Sequence, residues 1–324
     1  MFSPDVDGSR WGDRIARARQ LAEETPPAAE LLEFYAALAG YQQSLLERCG
    51  DTTGSPGADR ADRGLDRGLD RGLDRGLDRG LDRGSDRGSD PRSDPGAAGL
   101  LDSLDPEWVV GAVRDLVSWL PGVAPPRLRE AAQAIRDMTA GEWRACLDSY
   151  RSRPNDAADR FDETTVFVLE AVLQPLAERL ASARQEPAAA SAGRVAAPLP
   201  ARASGGPRCP VCGGSPGVGV LREEGHGARR ALVCGLCLTE WDYLRVVCVG
   251  CGEQRFESLP VFTAEQFPHV RIEACDTCQT YLKTIDLTKD GRAVPVVDDV
   301  ASISLDLWAR DRGYTRLRAS LVRT

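Results

Sequence analysis

Eight of the ten cysteines fall in four Cys-x-x-Cys pairs: Cys209/Cys212, Cys234/Cys237, Cys248/Cys251 and Cys275/Cys278. Two residues between cysteines let one tight turn aim both sulfurs at a single point. Two such turns supply four thiolates, the ligand set of a tetrahedral metal site. The gaps between successive pairs are 21, 10 and 23 residues. A short gap between two long ones marks two copies of one unit, and joins 209/212 to 234/237 and 248/251 to 275/278.

The first and third pairs run directly into Gly213 and Gly252, while the second and fourth run into Leu238 and Gln279. Glycine takes positive φ without steric cost, so each unit reads as one glycine knuckle followed by one plain knuckle, of the rubredoxin and zinc-ribbon type. Backbone N–H groups at Gly213 and Gly252 are expected to point at the sulfurs and to tune the metal. Pro210 fixes φ inside the first turn. Spacing does not choose between iron and zinc, since both accept four sulfurs in a tetrahedron. Disulfides would require an oxidising compartment, and no secretory signal segment is read at the N-terminus. A redox Cys-x-x-Cys usually occurs once, at the start of a helix. His226 and His269 lie between the pairs and are read as loop residues without a ligand role, because each site already has four cysteines. Cys49 and Cys146 fall in helical patterns and are expected to be buried.

The elements that must position these residues follow from the apolar periodicity. Residues 8–50 read as two helices, with Thr25 as an N-cap before Pro26 and with Leu31, Phe34, Leu38, Tyr41 and Leu45 on one stripe. Residues 61–98 carry an Arg-Gly-Leu-Asp repeat. A glycine in every fourth place costs about 0.8–1.0 kcal/mol each in a helix, more than ion pairs of about 0.2–0.5 kcal/mol return, so the repeat reads as a disordered loop. The helical pattern resumes at Asp105-Pro106-Glu107, with Val109, Val113, Leu116, Val117 and Leu120 as the apolar face. One or two shorter helices follow within 126–152, then a buried helix over 162–183 containing Pro175. Residues 185–207 read as a linker rich in Ala, Pro, Ser and Gly. Alternation before the second and fourth pairs predicts strands, Trp241 is expected to pack between the two metal units, and 298–314 predicts a C-terminal helix that docks on the helical part.

The expected fold class is therefore α+β: an all-helical N-terminal domain over 1–184, followed by tandem four-cysteine metal units over 208–324. The first unit spans 208–240, the second 246–287, and a C-terminal helix closes the chain. The net charge is −8, and from Pro207 to Thr324 fifteen Lys/Arg balance fifteen Asp/Glu. A phosphate-binding ribbon normally carries a basic excess, so no nucleic-acid partner is expected. No run of 18 apolar residues occurs, so neither a transmembrane helix nor a membrane partner is expected, and the protein is placed in the cytoplasm. The chain lacks a nucleophile–base constellation and a phosphate-cradling loop, and closed four-cysteine sites leave no open coordination position. It is read as a non-enzyme whose metals shape a binding surface.

CPVCGGSP (209–216), CGLCLTEWDYLRVVCVGCG (234–252), EACDTCQTYLKTIDL (273–287), DDVASISLDLWARDRGY (298–314) and ELLEFYAALAGYQ (30–42) together resemble the FdhE family of formate dehydrogenase accessory, or formation, proteins. That resemblance implies a cytoplasmic maturation chaperone, not an enzyme. Such a protein binds the catalytic subunit of respiratory formate dehydrogenase before twin-arginine export. The resemblance also implies two rubredoxin-like iron sites held by the eight paired cysteines, with zinc the alternative metal, and it leaves a redox role and a homodimer open. The long repeat departs from the family pattern without touching any motif residue. Competing readings are a nucleic-acid-binding zinc ribbon, discriminated by a salt-dependent gel shift, and a thiol oxidoreductase, discriminated by turnover in an insulin-reduction assay.

Overall fold

The computed structural model describes residues 4–50, 99–152, 155, 157–185, 206–225 and 227–322. The Arg-Gly-Leu-Asp repeat, nearly all of the 185–207 segment and His226 lie outside the described residues.

Helices α1 (Pro4–Glu24) and α2 (Ala29–Gly50) pack against each other. The stripe read on α2 faces inward: Leu31, Phe34, Leu38 and Leu45 are buried, and Tyr41 stacks at 4.9 Å on Trp119. Thr25 does not cap α2. It precedes a 3-10 turn, Pro26–Ala28, and its side chain makes no cap bond. The two prolines fix φ but remove N–H donors, which leaves the hydroxyl nothing to satisfy there. The α3 start is as read: Asp105 Oδ1 accepts from the Glu107 N–H at 3.0 Å at the head of α3 (Pro106–Trp119).

Helix α4 (Pro126–Ala134) leads to α5 (Ala140–Ser152). Before α5, Thr139 and Glu142 form a reciprocal capping box, with the Thr139 N–H donating to Glu142 at 2.7 Å and the Glu142 N–H to Thr139 at 3.3 Å. A single turn, α6 (Ala157–Arg160), precedes α7 (Glu163–Gln185), which is buried on nearly all sides through Ala181 and carries Pro175 in its interior.

The second half is a seven-stranded mixed sheet: β1 (Pro216–Glu224), β2 (Gly227–Cys234), β3 (Glu240–Asp242), β4 (Val261–Ala264), β5 (Phe267–Cys275), β6 (Thr280–Asp286) and β7 (Thr315–Arg316). The main path runs β3-β2-β1-β6-β5-β4, with β7 pairing beside β6. It comprises two antiparallel triplets joined by one parallel pair, β1 with β6, in the register Gly219↔Thr284 and Val220↔Ile285. The strands approach so closely at this joint that a Cβ on Gly219 would sit 2.3 Å from the Thr284 hydroxyl. β1 and β4 follow the first knuckle of their units, and β3 and β6 follow the second. The triplets are thus repeated head to tail.

The C-terminal stretch forms two helices rather than one, α8 (Pro295–Ala301) and α9 (Ile303–Asp311), broken at Ser302. The cause is the fully buried Lys283 on β6. Its ammonium donates to the Asp299 carbonyl at 2.6 Å and the Ser302 carbonyl at 3.3 Å, groups a continuous helix would use internally. Lys283 also pairs with Asp306 at 2.5 Å and Asp299 at 3.0 Å, and Arg316 pairs with the same two carboxylates at 2.9 and 2.6 Å. Burial alone would push the Asp299 carboxyl up, but Arg316 and then Lys283 hold it below the usual range. The stability it contributes is therefore complete above the ordinary carboxylate range and fades as pH falls through the lowered value.

α8 docks on α1 and α2, and the main apolar core runs without a break from the helices into the first metal unit. At that contact Arg17 of α1 reaches Asp298 of α8 at 2.6 Å and Asp290 at 3.0 Å. Asp298 is 1% exposed and also accepts from the Val294 N–H at 2.8 Å. Removing one member of such a pair leaves a buried charge short of its partner. Arg17→Ala is accordingly expected to lower stability by about 3 kcal/mol in chemical denaturation, whereas Arg144→Ala, at a surface pair, is expected to cost under about 1 kcal/mol.

Candidate metal centres

The eight cysteines assemble as two groups of four, Cys209, Cys212, Cys234 and Cys237 in one and Cys248, Cys251, Cys275 and Cys278 in the other, with all sulfurs of a group within 4.8 Å of one another. The pairing is the one read from the gaps. Each group sits where the two knuckle turns of one triplet converge, at the ends of β2 and β5. In the first group Cys209 and Cys237 sulfurs lie 3.5 Å apart and Cys212 and Cys234 sulfurs 3.4 Å apart; in the second, Cys248–Cys278 is 3.6 Å and Cys251–Cys275 is 3.7 Å. A tetrahedron with sulfur about 2.3 Å from a central ion has edges of about 3.8 Å. A disulfide would need about 2.05 Å, and none of these eight cysteines is in one. Donor type, number and spacing therefore fit one ion per group.

The electrostatics of the bare thiols point the same way. In the first group, contact among the four sulfurs lowers Cys209 and raises Cys212 and Cys237, so the charges cannot all form without a cation between them. In the second, burial pushes the Cys248 thiol up to about 12. Burial works in the same direction on Cys278, but the Thr280 hydroxyl and N–H and the neighbouring Cys251 and Cys248 outweigh it and bring it to about 7.

All four knuckles share one backbone geometry. Gly213 and Gly252 adopt φ of 67° and 79°, as expected, and Leu238 and Gln279 occupy the same left-handed region at 54° and 55°. The plain knuckles thus follow the glycine ones and hold a side chain where glycine fits best. The N–H groups of Gly213 and Gly252 do not reach the sulfurs. They close the turns onto the Cys209 and Cys248 carbonyls at 2.9 and 3.0 Å. The N–H···S contacts come instead from Val211 and Gly214 (both 3.4 Å), Leu236 (3.4 Å), Gly250 (3.3 Å) and Cys251 (3.5 Å). The reason is the turn itself: the residue after the second cysteine completes the i→i+4 bond, which frees the N–H two places after a sulfur to face it.

Two further residues touch the sulfurs. The Thr239 hydroxyl lies 3.2 Å from Cys237 and the Thr280 hydroxyl 3.0 Å from Cys278. A threonine at the same offset after the last cysteine of both units was visible in the sequence as a repeated Cys-x-Thr.

His269 is not in a loop. It lies on β5, with Nε2 2.8 Å from Asp298 and away from the ligand set. Cys49 is buried beside Arg179, whereas Cys146 is only half-buried. Trp241, on β3, is 8% exposed and belongs to the main core.

The two groups differ in setting. The first is wholly buried and is clasped by the helical half, with Gln174 donating to the Gly235 carbonyl at 3.2 Å, Asn155 to the Gly213 carbonyl at 3.0 Å, and Arg318 pairing with Glu170 at 2.7 Å. In the second, Cys251 is exposed and Cys278 half-buried.

Residues 208–245 match the model of the FdhE central domain and residues 246–322 that of the FdhE C-terminal domain, so the junction falls between the two metal units. Over residues 208–322 the chain carries the central and C-terminal domains of the FdhE family. It is 43% identical over 116 residues to a "Protein FdhE homolog" of Aquifex aeolicus, covering 35% of this chain and 41% of that one. It is 37% identical over 122 residues to one from Pseudomonas putida, covering 36% and 38%. The matches thus span about two fifths of these relatives' length. The crystal structure of the FdhE protein from Pseudomonas aeruginosa has the same fold over 99% of this chain and 97% of that one, with a TM-score of 0.61 at 24% identity.

The positive φ at all four knuckles yields a paired expectation. Gly252→Ala should lower the melting temperature of the metal-loaded protein by an amount equivalent to about 1 kcal/mol, although a Cβ there meets nothing within 4 Å. Gln279→Gly should raise it by a comparable amount. Equal melting temperatures for both variants and wild type would refute the shared geometry.

Proposed function

We propose that the chain is a maturation adaptor that binds the catalytic subunit of formate dehydrogenase in the cytoplasm, before that subunit's twin-arginine export, and supports its conversion to the active enzyme. The observation that carries this reading is the pair of closed four-cysteine groups within the two FdhE-family domains. A site whose four ligands all come from the protein shapes a surface and offers no coordination position to a substrate. Each group would hold one metal ion through its four thiolates, iron by family resemblance or zinc. Both would brace the knuckles, so that metal removal and loss of the folded sheet go together. Support for a soluble adaptor also comes from the absence, among the described residues, of any helix long and apolar enough to cross a membrane. The reading assigns no catalytic residue to this chain.

The exposure of Cys251 favours one addition: if either metal exchanges electrons with a bound client, it is the second. Deleting the gene from its own cell is expected to reduce formate dehydrogenase activity at least ten-fold while the catalytic subunit is still made. Wild type should restore activity, and Cys209→Ser should not. Unchanged activity in the deletion would overturn the proposal.

A further inference from the structure

Six large apolar side chains are exposed among the described residues, and four of them, Leu244, Val246, Phe256 and Val261, lie in the short stretch that carries the third knuckle. Phe256 is 75% exposed. Val246, Phe256 and Val261 rim a cavity of about 100 Å³ whose wall includes Cys248 and Cys275 of the second metal group. Arg230, Arg245 and Arg271 also line it, against Glu273 alone. Glu273 is already neutralised by Arg230 and Arg271, each at 2.5 Å. Arg230 and Arg271 are thereby occupied, and four thiolates around a divalent ion would add about two negative charges at the wall. The mouth is therefore apolar with one exposed lining cation, Arg245, that pairs with no carboxylate among the described residues and donates to the Ala228 carbonyl at 3.0 Å. β4, which contributes Val261, ends the sheet, and no described strand pairs with its outer edge.

The repeat shows how such an edge is used. β1 holds the same place in the first unit that β4 holds in the second, and β1 is covered by a parallel strand, β6. No described strand covers the corresponding edge of the second unit. An edge of unpaired backbone groups beside an apolar pocket takes an extended segment, with main-chain bonds giving affinity and the pocket giving selectivity.

Resting on the adaptor reading above, we propose that an extended segment of the client, apolar and carrying acidic side chains, pairs alongside β4. One apolar side chain enters the cavity between Val246 and Val261, and its carboxylates face Arg245. The bound segment lies over the second metal group and shields it from solvent.

The test measures binding of the full, metal-loaded chain to the unexported formate dehydrogenase catalytic subunit. Wild type is compared with Phe256→Ser/Val261→Ser, with Arg245→Glu, and with Val123→Ser as a control on the helical half, all with metal content verified at wild-type level. The proposal expects at least ten-fold weaker binding for the double variant, several-fold weaker binding for Arg245→Glu with a reduced salt dependence, and no change for Val123→Ser. Binding by wild type and by the double variant with equal affinity would overturn the surface and leave the adaptor reading standing. No binding by wild type would overturn the adaptor reading itself. A wild-type dimer that the double variant converts to monomer, with client binding unaltered, would make this edge a contact between copies and would also overturn the proposal.

Discussion

The arrangement depends on eight sulfurs held in two groups, with contacts of 3.4–3.7 Å, in positions that four negative charges cannot share unaided. Unneutralised, the thiols would have to stay largely protonated, and four protonated thiols at van der Waals distance contribute little to hold four turns in register. A cation at each centre would reverse the balance: it would favour the thiolates, fix two knuckles at once and so fix the strands that spring from them. The turn bonds from Gly213 and Gly252, the N–H groups facing the sulfurs and the hydroxyls of Thr239 and Thr280 are arranged around that charge. None of them alone would order a triplet of such short strands.

The duplication has physical consequences beyond symmetry. Joined head to tail, the triplets extend one sheet through a parallel pair, against which α8 packs and at which Gly219 lets Thr284 approach. The two metal groups then meet different neighbours. The first is sealed into the core that the helices supply, and its geometry is tied to α7 through Gln174 and Glu170. The second faces outward. One unit thus anchors the sheet to the helical half, and the other presents an unpaired edge among the described residues.

Much of this was legible in the sequence, for identifiable reasons. Cysteine spacing reports local turn geometry directly, so the two groups and their pairing could be read. Apolar stripes report helix faces, so α2, α3 and α7 could be placed. Two kinds of feature could not be read. Leu238 and Gln279 adopt left-handed backbone because the knuckle demands it, against their own preference. Lys283, Asp298, Asp299 and Arg17 are buried charges with no periodicity to betray them. That network broke the expected 298–314 helix at Ser302 and drew His269 to Asp298 on a strand. The N–H donors to sulfur are not the two glycines that the sequence suggests, because the freedom of Gly213 and Gly252 serves to close the turns onto the Cys209 and Cys248 carbonyls.

Anaerobic purification of the full chain, with metal analysis and a visible spectrum on one sample, tests the central claim most directly. Two ions per chain are expected, one for each group of four cysteines. Thiolate-to-iron bands would accompany two irons, and a colourless sample two zincs. A folded chain with fewer than two ions, or with its eight cysteines oxidised to disulfides, would contradict it.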